Sequence, residues 1–243
     1  MQSKADASTP LDFIGITHNN ILDQVGDMLK DDFESYATLQ NPTEEDRSKL
    51  LDKIKYSLSK VVVPDSISKH FDKDIAKAYK LLESERFDEF FTSMDCGRVE
   101  QYCKDAFNNG CDENLLALAN FGITSAWSNK DTMSTIFFTV MKYSANYWTN
   151  ASKDTTNSWY VIAKEFSSFD TVNITSKGIS IKEKFNKVKK WLAEKIFKKH
   201  EPSKAEVVIL CDATGALIGG LGLGGWGGAI VLGAICSASA AGY

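Results

Sequence analysis

From Ala213 to Ala241 the chain runs 29 residues without a charged side chain, nine of them glycine and seven alanine. Each glycine costs about 1 kcal/mol relative to alanine in a solvated helix, so a segment of this composition does not hold helical structure in water by itself. Something must cover it, either protein or lipid. The spacing G-x-x-x-G recurs at Gly215/Gly219, Gly220/Gly224 and Gly224/Gly228. Glycines four apart leave a groove on one face of a helix, which another backbone can approach closely.

Length separates the two coverings. A single helix through the whole stretch would be about 43 Å long, enough to cross roughly 30 Å of hydrocarbon. Its middle, however, offers only Leu221, Leu223 and Trp226 as large apolar groups. Breaking the stretch at Gly224-Gly225-Trp226-Gly227-Gly228 gives two arms of about 12 residues, each too short to span a bilayer. The expectation is a helical hairpin packed through Gly215, Gly219, Gly220, Gly224, Gly228 and Trp226. Asp212, the last charged residue, is expected to cap its first arm, with Cys211 and Cys236 toward the open end. The β-branched run Val207-Val208-Ile209 just before it reads as strand-like. G-x-G-x-x-G occurs at Gly220/Gly222/Gly225 and at Gly222/Gly224/Gly227, but no acidic ribose partner follows, so a dinucleotide site is set aside.

Upstream, the apolar periodicity is helical. Leu22, Val25, Leu29, Phe33 and Tyr36 predict a helix over 17–36, with His18, Asn19 and Asp23 as a polar cluster of unassigned role near its start. Asn41-Pro42 followed by Thr43, Glu44, Glu45 and Asp46 predicts a helix with a capping side chain, proline at its first position and acids in its first turn, running to about Ser59. Further helices are expected from Ile67 to about Ser84, over a short piece holding Val99, Tyr102 and Phe107, over 112–127, and over 130–148. The last is apolar on most sides and is expected to be central. Residues 158–169 fit neither period cleanly. The fold class is all-α: an irregular multi-helix domain over 11–170 after a flexible linker at 1–10, then a basic amphipathic region at 171–205 and the Gly/Ala-rich tail at 206–243.

Between Ile181 and Lys204 nine lysines face three glutamates, a local charge of +6 in a chain whose total is −4. Ile181, Phe185, Val188, Leu192 and Ile196 form one apolar stripe, and Lys182, Lys187, Lys189, Lys190, Lys195, Lys198 and Lys199 supply the basic face. Such a helix suits an anionic membrane surface, at about 1 kcal/mol for each lysine near the lipid. It suits docking on the acidic body as well, and that plainer reading is preferred. The expected partner is therefore a protein or an anionic membrane. Nucleic acid is set aside, because the chain is net acidic and the basic segment has no base-reading arrangement.

No catalytic signature is present: there is no G-x-S-x-G, Walker loop, H-E-x-x-H or supported carboxylate pair. No catalytic, cofactor or metal residue is assigned, and no cofactor is expected. His70 and Asp74, four apart, lack a third ligand. Cys96, Cys103, Cys111, Cys211 and Cys236 show no zinc spacing and read as buried free thiols. A polar pocket around His18 or His70 would have been the mark of an enzyme.

The run Leu11-Asp12-Phe13-Ile14-Gly15-Ile16-Thr17-His18-Asn19-Asn20-Ile21-Leu22-Asp23, with a Gly/Ala-rich segment like 213–241, resembles uncharacterised exported or lipoprotein-like bacterial proteins. The resemblance covers about a quarter of the chain. It implies export from a bacterial cell, with Met1 in the place of a removed leader, and it implies no activity. Residues 1–10 contain no apolar leader segment, so a cytosolic chain is the other expectation.

Overall fold

Side-chain caps at Thr43, Asn114, Asp131 and Ser203 set where the helices that follow them begin. In the computed structural model, which describes residues 6–39, 42–83, 97–111, 114–164, 203–220, 227–230, 232–234 and 236, every regular element is helical. The helices are α1 (Asp12–Ala37), α2 (Glu44–Leu58), α3 (Asp65–Glu83), α4 (Gly97–Asn108), α5 (Leu115–Ser128), α6 (Thr132–Ala151), α7 (Tyr160–Ala163) and α8 (Lys204–Gly219). The all-α class is as expected. Asn114 caps α5 by accepting from Leu116 N and Ala117 N, and Asp131 caps α6 by accepting from Ser134 N. Thr43/Asp46 and Ser203/Glu206 are reciprocal boxes at the starts of α2 and α8, each satisfying two backbone N–H groups that a helix leaves open. α4 ends where Gly110 adopts φ +73 and Cys111 N donates to Ala106 O at 3.0 Å.

Four expectations shift. α1 begins at Asp12 rather than Thr17, because Thr9 and Asp12 build a turn: Thr9 Oγ1 accepts from Leu11 N and Thr9 O accepts from Asp12 N at 3.1 Å. His18 therefore lies well inside the helix. The cap of α2 is Thr43, so Pro42 precedes the cap instead of opening the helix. Val207–Ile209 is helical, not strand-like, and Asp212 sits in the middle of α8 rather than at its end. Within 158–164 only α7 is regular. The basic segment with Lys182, Lys187, Lys189, Lys190, Lys195, Lys198 and Lys199 lies outside the described residues, as do Gly224, Trp226, Cys96 and Phe87–Phe91.

α6 is the centre. Ile136, Phe137, Phe138, Val140 and Met141 are all buried, and α1, α4, α5, α7 and α8 pack around it. α5 and α1 come close because they carry glycine where α6 carries a ring. A Cβ on Gly122 would run into the Phe138 ring, and one on Gly15 into the Tyr143 ring. Phe33, Trp148 and Trp159 form a second aromatic group, with centroids 4.4 Å apart for Phe33/Trp159 and 5.4 Å for Trp148/Trp159. The Trp159 indole donates to Leu22 O at 2.8 Å, which satisfies its buried N–H. α2 and the turn after it tie back to α1 through Gln24, whose amide bonds both the N–H and the C=O of Val62.

α8 lies against α6, and every residue from Val208 to Gly220 is buried. Residues 227–230, 232–234 and 236 are helical and form a second arm packed against α8. A Cβ on Gly219 would strike the carbonyl of Gly228. One on Gly215 would stand 2.7 Å from Leu232 O and 2.8 Å from Cys236 Sγ. Gly220 faces the Met133 sulfur and the Ala229 methyl. Glycine at Gly215, Gly219 and Gly228 is thus where two backbones touch.

Candidate functional site

The chain's least expected chemistry is a polar group buried where α1, α6, α8 and the second arm meet. Asp212 of α8 and His18 of α1 are fully buried, and His18 Nε2 stands 3.8 Å from Asp212 Oδ2, too far for a hydrogen bond. From α6, Ser144 donates its hydroxyl to the same Asp212 oxygen, and the Trp148 indole N–H donates to it at 3.3 Å. A carboxylate in a low-dielectric interior is tolerated only with donors such as these.

His18 is held by its neighbour in sequence. Asn19 Nδ2 donates to Tyr143 O at 3.1 Å, which leaves Asn19 Oδ1 as the acceptor 3.0 Å from His18 Nδ1. That network assigns the ring proton to Nδ1 and turns the bare Nε2 toward Asp212. Burial pushes the His18 pKa down from 6.5 to about 4; the Asn19 bond and the Gly233 backbone pull the other way without reversing it. The ring is neutral at physiological pH. Gly233 matters sterically too: a Cβ there would stand 3.2 Å from His18 Cδ2 and 3.3 Å from Asp212 O.

Ser, His and Asp are thus together, but not in the order that acyl transfer needs. In a nucleophilic triad the imidazole stands between the hydroxyl and the carboxylate and takes the hydroxyl proton. Here Ser144 gives its hydrogen bond to Asp212 directly, and Ser144, His18 and Asp212 are each sealed from solvent. The arrangement joins helices.

The other member of the polar cluster predicted from sequence lies elsewhere on α1. Asp23 accepts from Tyr147 Oη at 2.9 Å. Partial burial raises the Asp23 pKa and outweighs the opposing hydrogen bond, while burial and the nearby Asp23 push the tyrosine hydroxyl up as well. Ser158 donates to Asp27 beside this pair. His18 therefore faces α8 and the second arm, Asn19 bonds to α6, and Asp23 faces Tyr147 further along α6.

His70 is exposed on α3, whereas Asp74 is mostly buried, 3.7 Å from Lys77, and would meet a Cβ on Gly227 at 2.8 Å. His18, by contrast, is fully buried. The described residues hold no group of three or more His, Cys, Asp or Glu placed to bind a metal ion.

Sequence reading missed two buried polar features. Lys142 on α6 is 4% exposed. Its ammonium donates to Ala7 O at 2.6 Å and lies 3.2 Å from Asp6 Oδ2, so it straps the N-terminal segment over α6. Ala7 N completes the strap by donating to Asn120 Oδ1 at 3.0 Å. Asp212 itself was read as a cap; the available signal was an acid in the middle of an apolar run, where only a structured set of donors would keep it. Comparisons with protein families, with curated proteins and with solved structures find no match for this chain.

Proposed function

We propose that the chain is a non-enzymatic, exported bacterial helical protein that acts by binding another protein, and that its Gly/Ala-rich end is an integral part of the fold. The supporting observation is the unbroken burial from Val208 to Gly220, with Asp212 held by Ser144 and Trp148 at its middle. An acid so placed fits a segment kept inside protein better than one stored for hydrocarbon, where a charge at mid-helix is costly. No helix among the described residues is long and apolar enough to cross a membrane.

Export rests on the resemblance of 11–23 to lipoprotein-like bacterial proteins. The residues behind that resemblance have defined places in the fold. Gly15 admits Tyr143, Asn19 binds Tyr143 O, and His18 stacks its ring edge against Gly233 and faces Asp212. His18 is thus the motif residue that meets the glycine-rich end.

Hydrogen exchange on the intact chain, in buffer and with vesicles of mixed neutral and anionic lipid, tests the reading. Protection across 204–220 that the vesicles leave unchanged is the expected result. The membrane-active alternative predicts pelleting with the vesicles together with a new exchange pattern in the same peptides, and that outcome would replace the proposal.

A further inference from the structure

Two residues ahead of α1 are held by helices far from them in sequence. The Ala7 N–H donates to Asn120 Oδ1 of α5 at 3.0 Å, and the Ala7 carbonyl accepts from Lys142 Nζ of α6 at 2.6 Å. Both main-chain groups of one residue are thus taken by side chains, which is how an extended peptide is gripped whatever its sequence. Asp6 adds a charge, with its Oδ2 3.2 Å from the same ammonium. The next residues behave differently. Ser8 Oγ donates to Asp12 Oδ2 at 2.8 Å, Thr9 N donates to Asp12 Oδ1 at 3.3 Å and Thr9 O accepts from Asp12 N, so from Ser8 onward the bonds are local and belong to the start of α1. The strap therefore divides at Ser8, and residues 6 and 7 can lift away without unmaking the helix start.

We propose that the groove between α5 and α6 at Asn120 and Lys142 is a docking site for an extended, acid-bearing segment of a protein partner, and that residues 6 and 7 of this chain fill it in the partner's absence. The proposal rests on the reading of the chain as one that binds another protein, and it names the segment taken. Two observations carry it. Residues 6 and 7 are lightly held, because Asp6 is 70% exposed and Ala7 offers only a methyl group, so hardly any apolar contact is lost when they leave. Lys142, by contrast, needs an occupant. Its side chain is 4% exposed, the acceptors it meets among the described residues are Ala7 O and Asp6, and Tyr143 adds only a ring centred 5.4 Å away. A buried ammonium left without acceptors is heavily penalised, so the segment is exchanged for one of the same chemistry and not simply vacated. Asn120 and Lys142 together ask for a main-chain N–H and C=O on one residue, with a carboxylate on the residue before it.

The test uses the full chain, isotope-labelled for NMR, with Asp6→Lys and Ala7→Pro together to release the segment. The first change repels Lys142, and the second removes the N–H that Asn120 accepts from. The probe is a peptide of this sequence from Ser3 to Ser8, Ser-Lys-Ala-Asp-Ala-Ser, blocked at both ends. Saturable shifts are expected at the Asn120 side-chain amide and at the backbone amides around Lys142. The natural chain, whose own segment fills the site, should bind the probe at least about tenfold more weakly. Changing the probe's aspartate to asparagine should weaken binding about fivefold, and N-methylation of the alanine after it should abolish binding. Lys142→Met in the released chain should abolish it too; should that variant fail to fold, the altered probes decide by themselves. No saturable shift in the released chain, equal binding by all three probes, or equal binding by the natural and released chains overturns the proposal. So does a natural chain that dimerises with rising concentration and shows the same shifts, since the site then takes residues 6 and 7 of a second copy. Any of these outcomes leaves the exchange protection across 204–220 as it was, which separates failure here from failure of the reading beneath it.

Discussion

α6 and α8 are neighbours and both are buried, yet they achieve burial by opposite means. α6 fills space with Phe137, Phe138, Met141 and Trp148, all at most 1% exposed. α8 removes space: Gly215, Ala216 and Gly219 let a second arm come within backbone contact. The first design depends on side-chain volume and dispersion, the second on the absence of a Cβ. Emptying a site should therefore break α6, and filling one should break α8.

The largest effect belongs to Trp148. Its ring contacts Trp159 and Tyr147, and its N–H serves Asp212, so Trp148→Ala opens a cavity and removes a donor to a buried carboxylate. We expect a loss of about 4 kcal/mol in urea unfolding, with Trp148→Phe recovering part of it through the ring alone. A cost below about 1 kcal/mol would show that α6 does not rely on volume at this position.

Acid is the next most severe challenge, and it acts where α6 and α8 meet α1. The folded-state pKa of His18, about 4, lies below its ordinary 6.5, so folding disfavours the charged ring. Above pH 6.5 both states hold the ring neutral and stability is full. Between 6.5 and 4 the unfolded chain takes the proton first and stability falls, by roughly 3 kcal/mol in all; below 4 the loss is complete. Asp23 works in the other direction, because its raised pKa makes the folded state gain as pH falls. The measurement is unfolding free energy against pH. His18→Gln should flatten the slope between 6.5 and 4, whatever it does to the plateau, and an unchanged slope would remove His18 as its source.

Filling α8 comes third. Alanine normally stabilises a helix relative to glycine by up to about 1 kcal/mol. Gly219→Ala should do the reverse and cost about 2 kcal/mol, since the new methyl meets the Gly228 carbonyl and neither backbone can yield cheaply. The same change at Gly220, where the nearest atoms are the flexible Met133 side chain at 3.3 Å, should cost distinctly less. Equal effects at the two positions would contradict the contrast between the stripe that touches backbone and the position beside it.

Much of the bundle could be read from the sequence because it is written in local chemistry. The helices expected over 112–127 and 130–148 fall within a few residues of α5 and α6, and the apolar surround of α6 announced its central place. The requirement that the glycine-rich end be covered followed from helix propensity alone. What escaped was settled by the tertiary environment or by a competing local signal. Val207-Val208-Ile209 favours strand by side-chain branching, but Ser203-x-x-Glu206 is a capping box, and burial against α6 then favours the helix it opens. Asp212 was misread because an acid next to an uncharged run looks like a boundary. Its donors, Ser144 and Trp148, lie 68 and 64 residues away, beyond the reach of any periodicity. Lys142 escaped likewise: its partners are at Asp6 and Ala7, in a segment whose composition reads as a loose linker.

The smallest effect sharpens the comparison most, because the same chemical device starts a helix at the rim and a helix in the core. Thr43/Asp46 caps α2, whose cap lies exposed, and Ser203/Glu206 caps α8, which is buried within two turns of its start. Thr43→Ala and Ser203→Ala should each cost about 1 kcal/mol, since each removes one acceptor from an open backbone N–H. Where the cost is felt should differ. α2 makes its described tertiary contacts mainly with α1, so losing its cap should raise exchange in the first turn of α2 and leave the global unfolding midpoint nearly unmoved. α8 cannot fray without exposing Val208 and its neighbours to water, so the loss at Ser203 should be passed to the whole fold and shift the midpoint with little local opening. Local fraying of α8 in Ser203→Ala, with the midpoint unchanged, would mean that the glycine-rich end opens independently of the bundle, and the interface between His18, Gly233 and Asp212 would then not be what joins them.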